Sequence, residues 1–364
     1  MSRSQERQGP LTGVRVLEFT GLGPAPFAAM LLADLGADVV RIERSEAQPF
    51  GRGATARGRQ IITLDLQDAV DRDHALALAA RADVLIEGFR PGVMERLGLG
   101  PDTLLQRNPS LVYGRMTGWG QSGPRAHTAG HDINYIAITG ALHAIGPTDE
   151  PNVPLNLVGD YGGGALYLAM GILAALLESR RSGLGQTIDC AICDGTVSMM
   201  SLMIDLLQAG RWTDARASNV LDGAAPYYRN YRCADHKFIA VGAIEPKFFA
   251  LLLERLELTD DPLFAEQNNK NHWAAQRAAM QQVFARRPRA EWLQRFEGSD
   301  ACVAPVNSLV ESFSDPHLKA RKAFITVDDQ RQPAPAPRFS RTPAEARPHR
   351  VCTVQDILAA WDAV

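Results

Sequence analysis

Residues 13–44 read GVRVLEFTGLGPAPFAAMLLADLGADVVRIER, and the order of their patterns decides the fold. A short apolar strand comes first, then a glycine-rich turn, an apolar helix closed by Gly36, and a second strand. Strand, helix and strand in so short a span make a β-α-β unit. The turn GLGPAP resembles a G-x-G-x-x-G phosphate loop, but Pro26 stands where the third glycine belongs, so no NAD site is predicted. Further units follow: a strand at 82–89 (ADVLIEGF), helical stretches near 93–106, and a strand at 111–118 (LVYGRMTG). Such alternation predicts an α/β protein with a mostly parallel, doubly wound sheet.

Beyond residue 132 the pattern turns helical. A long apolar run at 161–178 (YGGGALYLAMGILAALLE) leads towards RRSGLG, and a second helix is expected at about 194–209. Residues 210–230 have no clear period and read as a linker. A hairpin at 231–244 (YRCADHKFIAVGAI) and amphipathic helices to about 320 then predict a second, smaller α+β domain. The proline-rich stretch at 332–348 is expected to be extended, running back over the surface before a last helix at TVQDILAAW. The expected boundaries are 1–225 for the large domain and 226–329 for the small one.

With 364 residues, two domains fit better than one. Apolar residues make up 46% and charged residues 22%, and no run of about 20 apolar residues stands out, so a soluble chain without a membrane partner is expected. The polar N-terminus has no apolar signal core, which predicts the cytoplasm. Five cysteines, an odd number, suit a reducing compartment. Cys190 and Cys193 form a lone C-x-x-C on a strand entering a helix, and no second pair accompanies them to make a metal or redox site. A net charge of −3 without a basic stripe argues against nucleic acid.

Four residues could carry chemistry. His131 and Asp132 sit together in AGHDINYIAITG (129–140), where either could begin a helix or move a proton. Asp160 lies directly before a helix in NLVGDYGGGALYLAM; an aspartate there is a good N-cap and equally a catalytic acid beside helix N–H groups that stabilise developing charge. Glu245 interrupts an apolar strand before Pro246 and could simply favour the start of a helix.

The run LNLVGDYGGGALYLAMGILAALLESRRSGLGQTIDCAICDGT (155–196) resembles the signature of the class III CoA-transferase superfamily, CaiB/BaiF type. Within it, AGHDINY, PLNLVGDYGGG, LDGAAPYYRNYRCADHKFIAVGAIEPKFF and DACVAPV resemble the α-methylacyl-CoA racemase family, a likeness that runs from residue 11 to about 340. Transferases of the superfamily usually carry tyrosine or another residue where His131 stands. The resemblance implies His131 and Asp160 as catalytic groups, Glu245 as the glutamate that holds the imidazole, and no cofactor apart from the CoA of the substrate. It also implies a Rossmann-like large domain completed by residues 330–364, and a homodimer of two interlocked rings. A class III transferase with Asp160 as nucleophile is the alternative.

Racemising a 2-methylacyl thioester requires removing a proton from Cα and returning one to the opposite face, so two acid/base groups across a planar enolate suffice. Aspartate is ionised at neutral pH, and holding a proton on it calls for burial, here expected against Leu155, Leu157 and Val158. Backbone N–H groups at the start of the 160s helix are expected to hold the thioester oxygen. CoA phosphates call for arginines at strand ends: Arg41 and Arg44 after the second strand and Arg90 after the third, with Arg52, Arg57 and Arg59 on a loop. Each could equally be a solvated surface charge. Thr63, Leu64, Asp65 and Leu66 resemble the segment lining the adenine, and Gly130, Asp132 and Tyr135 complete the expected substrate contacts. Met199, Met200 and Met203, at helical spacing, fit core packing or an acyl-chain wall.

Overall fold

The computed structural model describes residues 8–19, 21–44 and 53–363; Arg52 lies outside them. The chain divides into two units. One comprises residues up to Ala141, Pro154–Ser201 and Lys322 onward, the other Leu142–Val153 and Leu202–Arg321. Residues 142–153 and 202–225, expected with the large domain, therefore group with the smaller one. Arg216 explains the pairing, since its guanidinium donates to the carbonyl oxygens of His143 (3.1 Å), Pro147 (3.0 Å) and Thr148 (3.3 Å) and ties the two segments together.

In the first unit, among the described residues, six strands, β1 (Arg15–Phe19), β2 (Asp38–Glu43), β3 (Arg59–Thr63), β4 (Val84–Glu87), β5 (Val112–Thr117) and β6 (Thr187–Ala191), are joined by a seventh at Arg350–Val351. All are parallel, in the order Arg350–Val351, β3, β2, β1, β4, β5, β6. Helices cover both faces of such a sheet, so its strands read as unbroken apolar runs. Val16, Leu17, Val39, Val40, Val84 and Leu85 are all fully buried.

Helix α1 (Pro24–Asp34) follows the GLGPAP turn. Gly23 holds φ 71°, which favours glycine, and Pro24 and Pro26 fall within the first turn, where a missing N–H leaves no helical bond unmade. Helix α2 (Ala69–Ala79) is capped by Asp68, whose carboxylate accepts from the N–H groups of Val70 and Asp71. The helical stretches expected near 93–106 are α3 (Val93–Arg96) and α4 (Pro101–Arg107), parted where Gly98 turns to φ 71°. Helix α5 (Asp132–Ala137) follows β5 and its loop.

The apolar run at 161–178 lies in a helix that begins as a π-helical segment, Leu157–Leu166, and continues as α6 (Tyr167–Ser182). This continuous helix is long and apolar enough to cross a bilayer by length and composition, against the expectation above, and 44% of its most apolar window is buried inside the protein. Leu168, Ile172 and Ala175 face the sheet core. The glycines after Asp160 serve close packing against α7 (Ile192–Met199): a Cβ at Gly195 would stand 1.9 Å from the Gly163 carbonyl oxygen, and one at Gly163 2.5 Å from Thr196 Oγ1. The single helix expected at 194–209 breaks at Met200 into α7 and α8 (Ser201–Gln208).

The segment after the small domain forms a hairpin, Phe324–Val327 with Gln330–Pro333, which the proline-rich composition did not announce. An extended strap then returns along the end of α1, where Glu345 N–H donates to the Asp34 carbonyl oxygen (2.9 Å). It ends in the edge strand Arg350–Val351 and the helix Val354–Asp362, capped by Thr353.

The second unit is an antiparallel sheet of β7 (Tyr228–Arg232), β8 (Phe238–Gly242) and β9 (Val303–Val306) with helices α9 (Pro246–Leu256), α10 (Lys270–Phe284) and α11 (Arg289–Phe296). Its hairpin starts three residues earlier than expected. Tyr231, Phe284, Trp292 and Phe296 form its aromatic core, with Tyr231 stacked on Phe284 at 4.9 Å.

Candidate active site

His131 is the N-cap of α5, in extended conformation (φ −132°, ψ 176°). Its N–H donates to Asn134 Oδ1 (3.0 Å), and its carbonyl oxygen accepts from Asn134 and Tyr135. The backbone is thus fixed locally while the imidazole lies on the exposed side. Tyr135 fastens the incoming loop. Its hydroxyl donates to the Gly130 carbonyl oxygen, its ring stands edge-on to Trp119 at 4.8 Å, and a Cβ at Gly118 would fall 2.0 Å from the ring. Gly130 and Tyr135, expected to touch substrate, bond to each other.

Asp160 is not the N-cap; that place belongs to Asn156, and Asp160 sits inside the first π-helical turn. Its carboxyl meets the GLGPAP turn, where a Cβ at Gly23 would lie 2.8 Å from Asp160 Oδ2. Nearby, Phe27 of α1 stacks on Tyr161 at 4.0 Å. The Asp160 carboxyl is pushed up to about 6, first by burial and next by the charge of Asp132, while an Asn156 hydrogen bond and the His131 charge pull it down. His131 and Asp160 are therefore brought together closely enough for their charges to interact. Leu155 and Leu157 do not bury the acid, being 70% and 57% exposed. The glycine turn does so instead.

Asp132, only 9% exposed, accepts the Asp160 N–H on Oδ2 at 2.6 Å. Its own carboxyl is raised by burial, against the N–H groups of Asp160 and Gly159, which lower it. The Tyr161 N–H is bonded to the Asn156 carbonyl oxygen (3.1 Å). The N–H groups expected to hold a thioester oxygen thus already have acceptors.

Glu245 belongs to the second unit. It is the N-cap of α9 and exposed; its carbonyl oxygen accepts from Phe248 and Phe249 (both 3.0 Å), and its side chain makes no capping bond.

A cavity of about 480 Å³ opens at the carboxyl ends of β1 to β4, the place where doubly wound sheets bind their ligands. Of the residues assigned to CoA, Arg44, Leu64, Asp65 and Leu66 are among its lining, whereas Thr63 ends β3 outside it. Phe19, Phe89 and Arg96 also line it and were not foreseen; an arginine in a four-residue helix carries no pattern of its own. Arg90 is exposed on the loop after β4, near enough to Tyr135 for its charge to lower the phenol's proton affinity.

The other arginines are structural. Arg41 is 6% exposed and pairs with Glu43 at 3.1 Å. Arg57 bonds Asp34 through both Nε (2.9 Å) and Nη2 (2.5 Å), and Arg59 bonds Glu18 at 3.0 Å. Arg57 and Arg59 are almost wholly buried, because strand alternation and the return strap enclose the loop expected to be flexible. Cys190 and Cys193 are pushed up to about 12 and about 11 by burial, so neither is a ready thiolate. None of the three methionines is buried; Met199 lies against Gly162 at the surface.

The pattern of CoA-transferase family III matches residues 11–350. The chain is 47% identical to the α-methylacyl-CoA racemase of Mus musculus and 44% identical to that of Homo sapiens, in each case over 92% of this chain and 87% of the relative. Among solved structures, a CaiB/BaiF family protein from Brucella suis superposes with a TM-score of 0.82 at 26% identity, covering 98% of this chain and 99% of the other. The chain belongs to CoA-transferase family III.

Proposed function

We propose that this protein is a 2-methylacyl-CoA racemase that interconverts 2R and 2S thioesters by moving a proton between the two faces of Cα. One group, His131 or ionised Asp160, removes the Cα proton, and the electron pair moves into the thioester carbonyl to give an enolate. The other group, protonated, delivers its proton to Cα from the opposite side as the carbonyl re-forms. Each turnover leaves the two groups with exchanged protonation. The observation that carries this reading is an Asp160 carboxyl raised to about 6 within the field of His131, a group able both to hold and to release a proton near neutral pH. The relatives named as racemases support the same substrate class.

The cavity at the strand ends suits the nucleotide part of CoA, with the aromatic ring of Phe89 for a base and Arg44 and Arg96 for phosphate oxygens. Glu245 is assigned to orient the His131 imidazole, on the resemblance alone. No metal or redox cofactor enters this chemistry. Homodimerisation finds support in Leu166, Met170 and Leu177 of one helix, 52%, 59% and 71% exposed, which form an apolar stripe that a second copy would cover.

Deuterated water tests the reading. A 2-methylacyl-CoA incubated with the enzyme gains deuterium at Cα, and His131→Ala and Asp160→Ala abolish the uptake. Undiminished uptake in both variants would refute it. Hydroxylamine inactivation that depends on acyl-CoA, with CoA passing to a free acid, would instead make Asp160 a nucleophile and the protein a transferase.

A further inference from the structure

The carboxylate of Asp132 is placed unlike that of an ordinary first-turn aspartate. It points away from its own helix into the neighbouring π-helical turn, where Oδ2 accepts the Asp160 N–H at 2.6 Å. The fit leaves no slack, since a Cβ at Gly159 would lie 2.3 Å from the same oxygen. Its second oxygen, Oδ1, is buried with no hydrogen-bond partner. An uncompensated buried oxygen on a charged group is unfavourable and calls for a reason. Asp160 itself supplies one: its carboxyl is close enough for the Asp132 charge to be the second largest influence raising its proton affinity.

We propose that Asp132 is a positioning residue for the proton transfer, its buried carboxylate fixing the backbone that carries Asp160 and placing a second carboxyl group beside the reacting one. The inference rests on the racemase reading for its consequence but not for its physical content. Few other charges reach the site. From α5, Asp132 and His131 act on Asp160, and Tyr135 feels its charge. Titratable groups on the other packed elements have partners of their own: Asp34 on α1 bonds Arg57, Arg115 on β5 bonds Glu87 and Glu95, Tyr167 on α6 bonds Ser198, Asp189 on β6 accepts the Gln121 N–H, Cys190 on β6 bonds the Gly164 carbonyl oxygen, and Cys193 on α7 bonds Asp194. Two carboxyl groups held this close resist simultaneous ionisation, and the one with fewer donors keeps the proton longer.

Asp132→Asn separates the two parts of the role, because the amide oxygen still accepts the Asp160 N–H while the charge is gone. The carboxyl of Asp160 is followed by infrared titration of the substrate-free protein, isolated by subtracting the spectrum of Asp160→Asn. In Asp132→Asn it should titrate at lower pH, with a proton affinity reduced about threefold or more. The acid limb of kcat/KM for deuterium exchange should move the same way, with KM within about twofold. Asp132→Ala, which loses the clamp too, should lower kcat at every pH. Asp132→Ser, whose hydroxyl oxygen also accepts the N–H, serves if the amide variant does not fold. An unshifted infrared titration together with full kcat in the neutral variants would overturn the inference. If the unaltered protein exchanges no deuterium, the racemase reading fails, and the infrared titration still decides whether the two carboxyl groups are coupled.

Discussion

Gly23 and Asp160 are apposed so closely that the missing side chain of one makes room for the carboxyl of the other: a Cβ at Gly23 would stand 2.8 Å from Asp160 Oδ2. The same glycine holds φ 71°, a conformation other residues adopt with strain. Gly23→Ala therefore displaces the acid and strains the turn. Thermal unfolding should show a loss of about 1–3 kcal/mol, and Cα exchange should fall by about 100-fold, the scale expected when a reacting group moves by an ångström. Exchange at the original rate would mean that the carboxyl position does not matter.

Asp160 links stability to pH in the opposite sense to a salt-bridged carboxylate. Its folded-state affinity is raised from 3.8 to about 6, so the folded protein binds the extra proton, and the stabilisation present below pH 3.8 is lost as pH rises through about 6. Asp160→Asn removes this penalty. Denaturant unfolding should find the variant more stable than the parent at pH 8, by at most about 3 kcal/mol, with the gap closing towards pH 4. A gap independent of pH would contradict the raised affinity.

Buried and exposed arginines should behave differently on substitution. Arg59→Leu leaves Glu18 without its partner inside the sheet and should destabilise the protein by about 3–5 kcal/mol. Arg96→Ala, on the rim of the cavity, should leave unfolding unchanged and weaken CoA binding about tenfold, the loss expected for one charge-assisted contact. Calorimetric titration with CoA and melting curves together check both; a reversal of the two outcomes would move the nucleotide site.

Charge on the apolar stripe tests its burial between copies. Met170→Glu and Leu177→Glu, both at exposed positions, should lower the melting temperature of a dimer that buries the stripe, more in the double variant than in either single one. An unchanged melting temperature in the double variant would place the interface elsewhere.

The sheet was legible because parallel strands bury both faces, so RVLEF, VLIE and VYGRM read as strands without neighbours to explain them. His131 and Asp160 were legible as types of residue in suggestive places, but not the approach of Asp160 to the turn at Gly23. A π-helical turn leaves the same residue pattern as the start of an α-helix, so Asp160 read as a cap. The arginines misled for a related reason. Nothing local distinguishes Arg57 and Arg59 from solvated charges, because their partners Asp34 and Glu18 are separated from them by 23 and 41 residues. The bond from the Asp160 N–H to Asp132 was not legible, since donor and acceptor are 28 residues apart.

The outer neighbour of β3 is a strand 290 residues downstream, Arg350 beside Gln60. During synthesis, β3 must wait as an unprotected border while the whole smaller unit emerges from the ribosome, a long-range closure that slows assembly and leaves a sticky margin open meanwhile. Truncation before the strap would leave that margin of the sheet open for good.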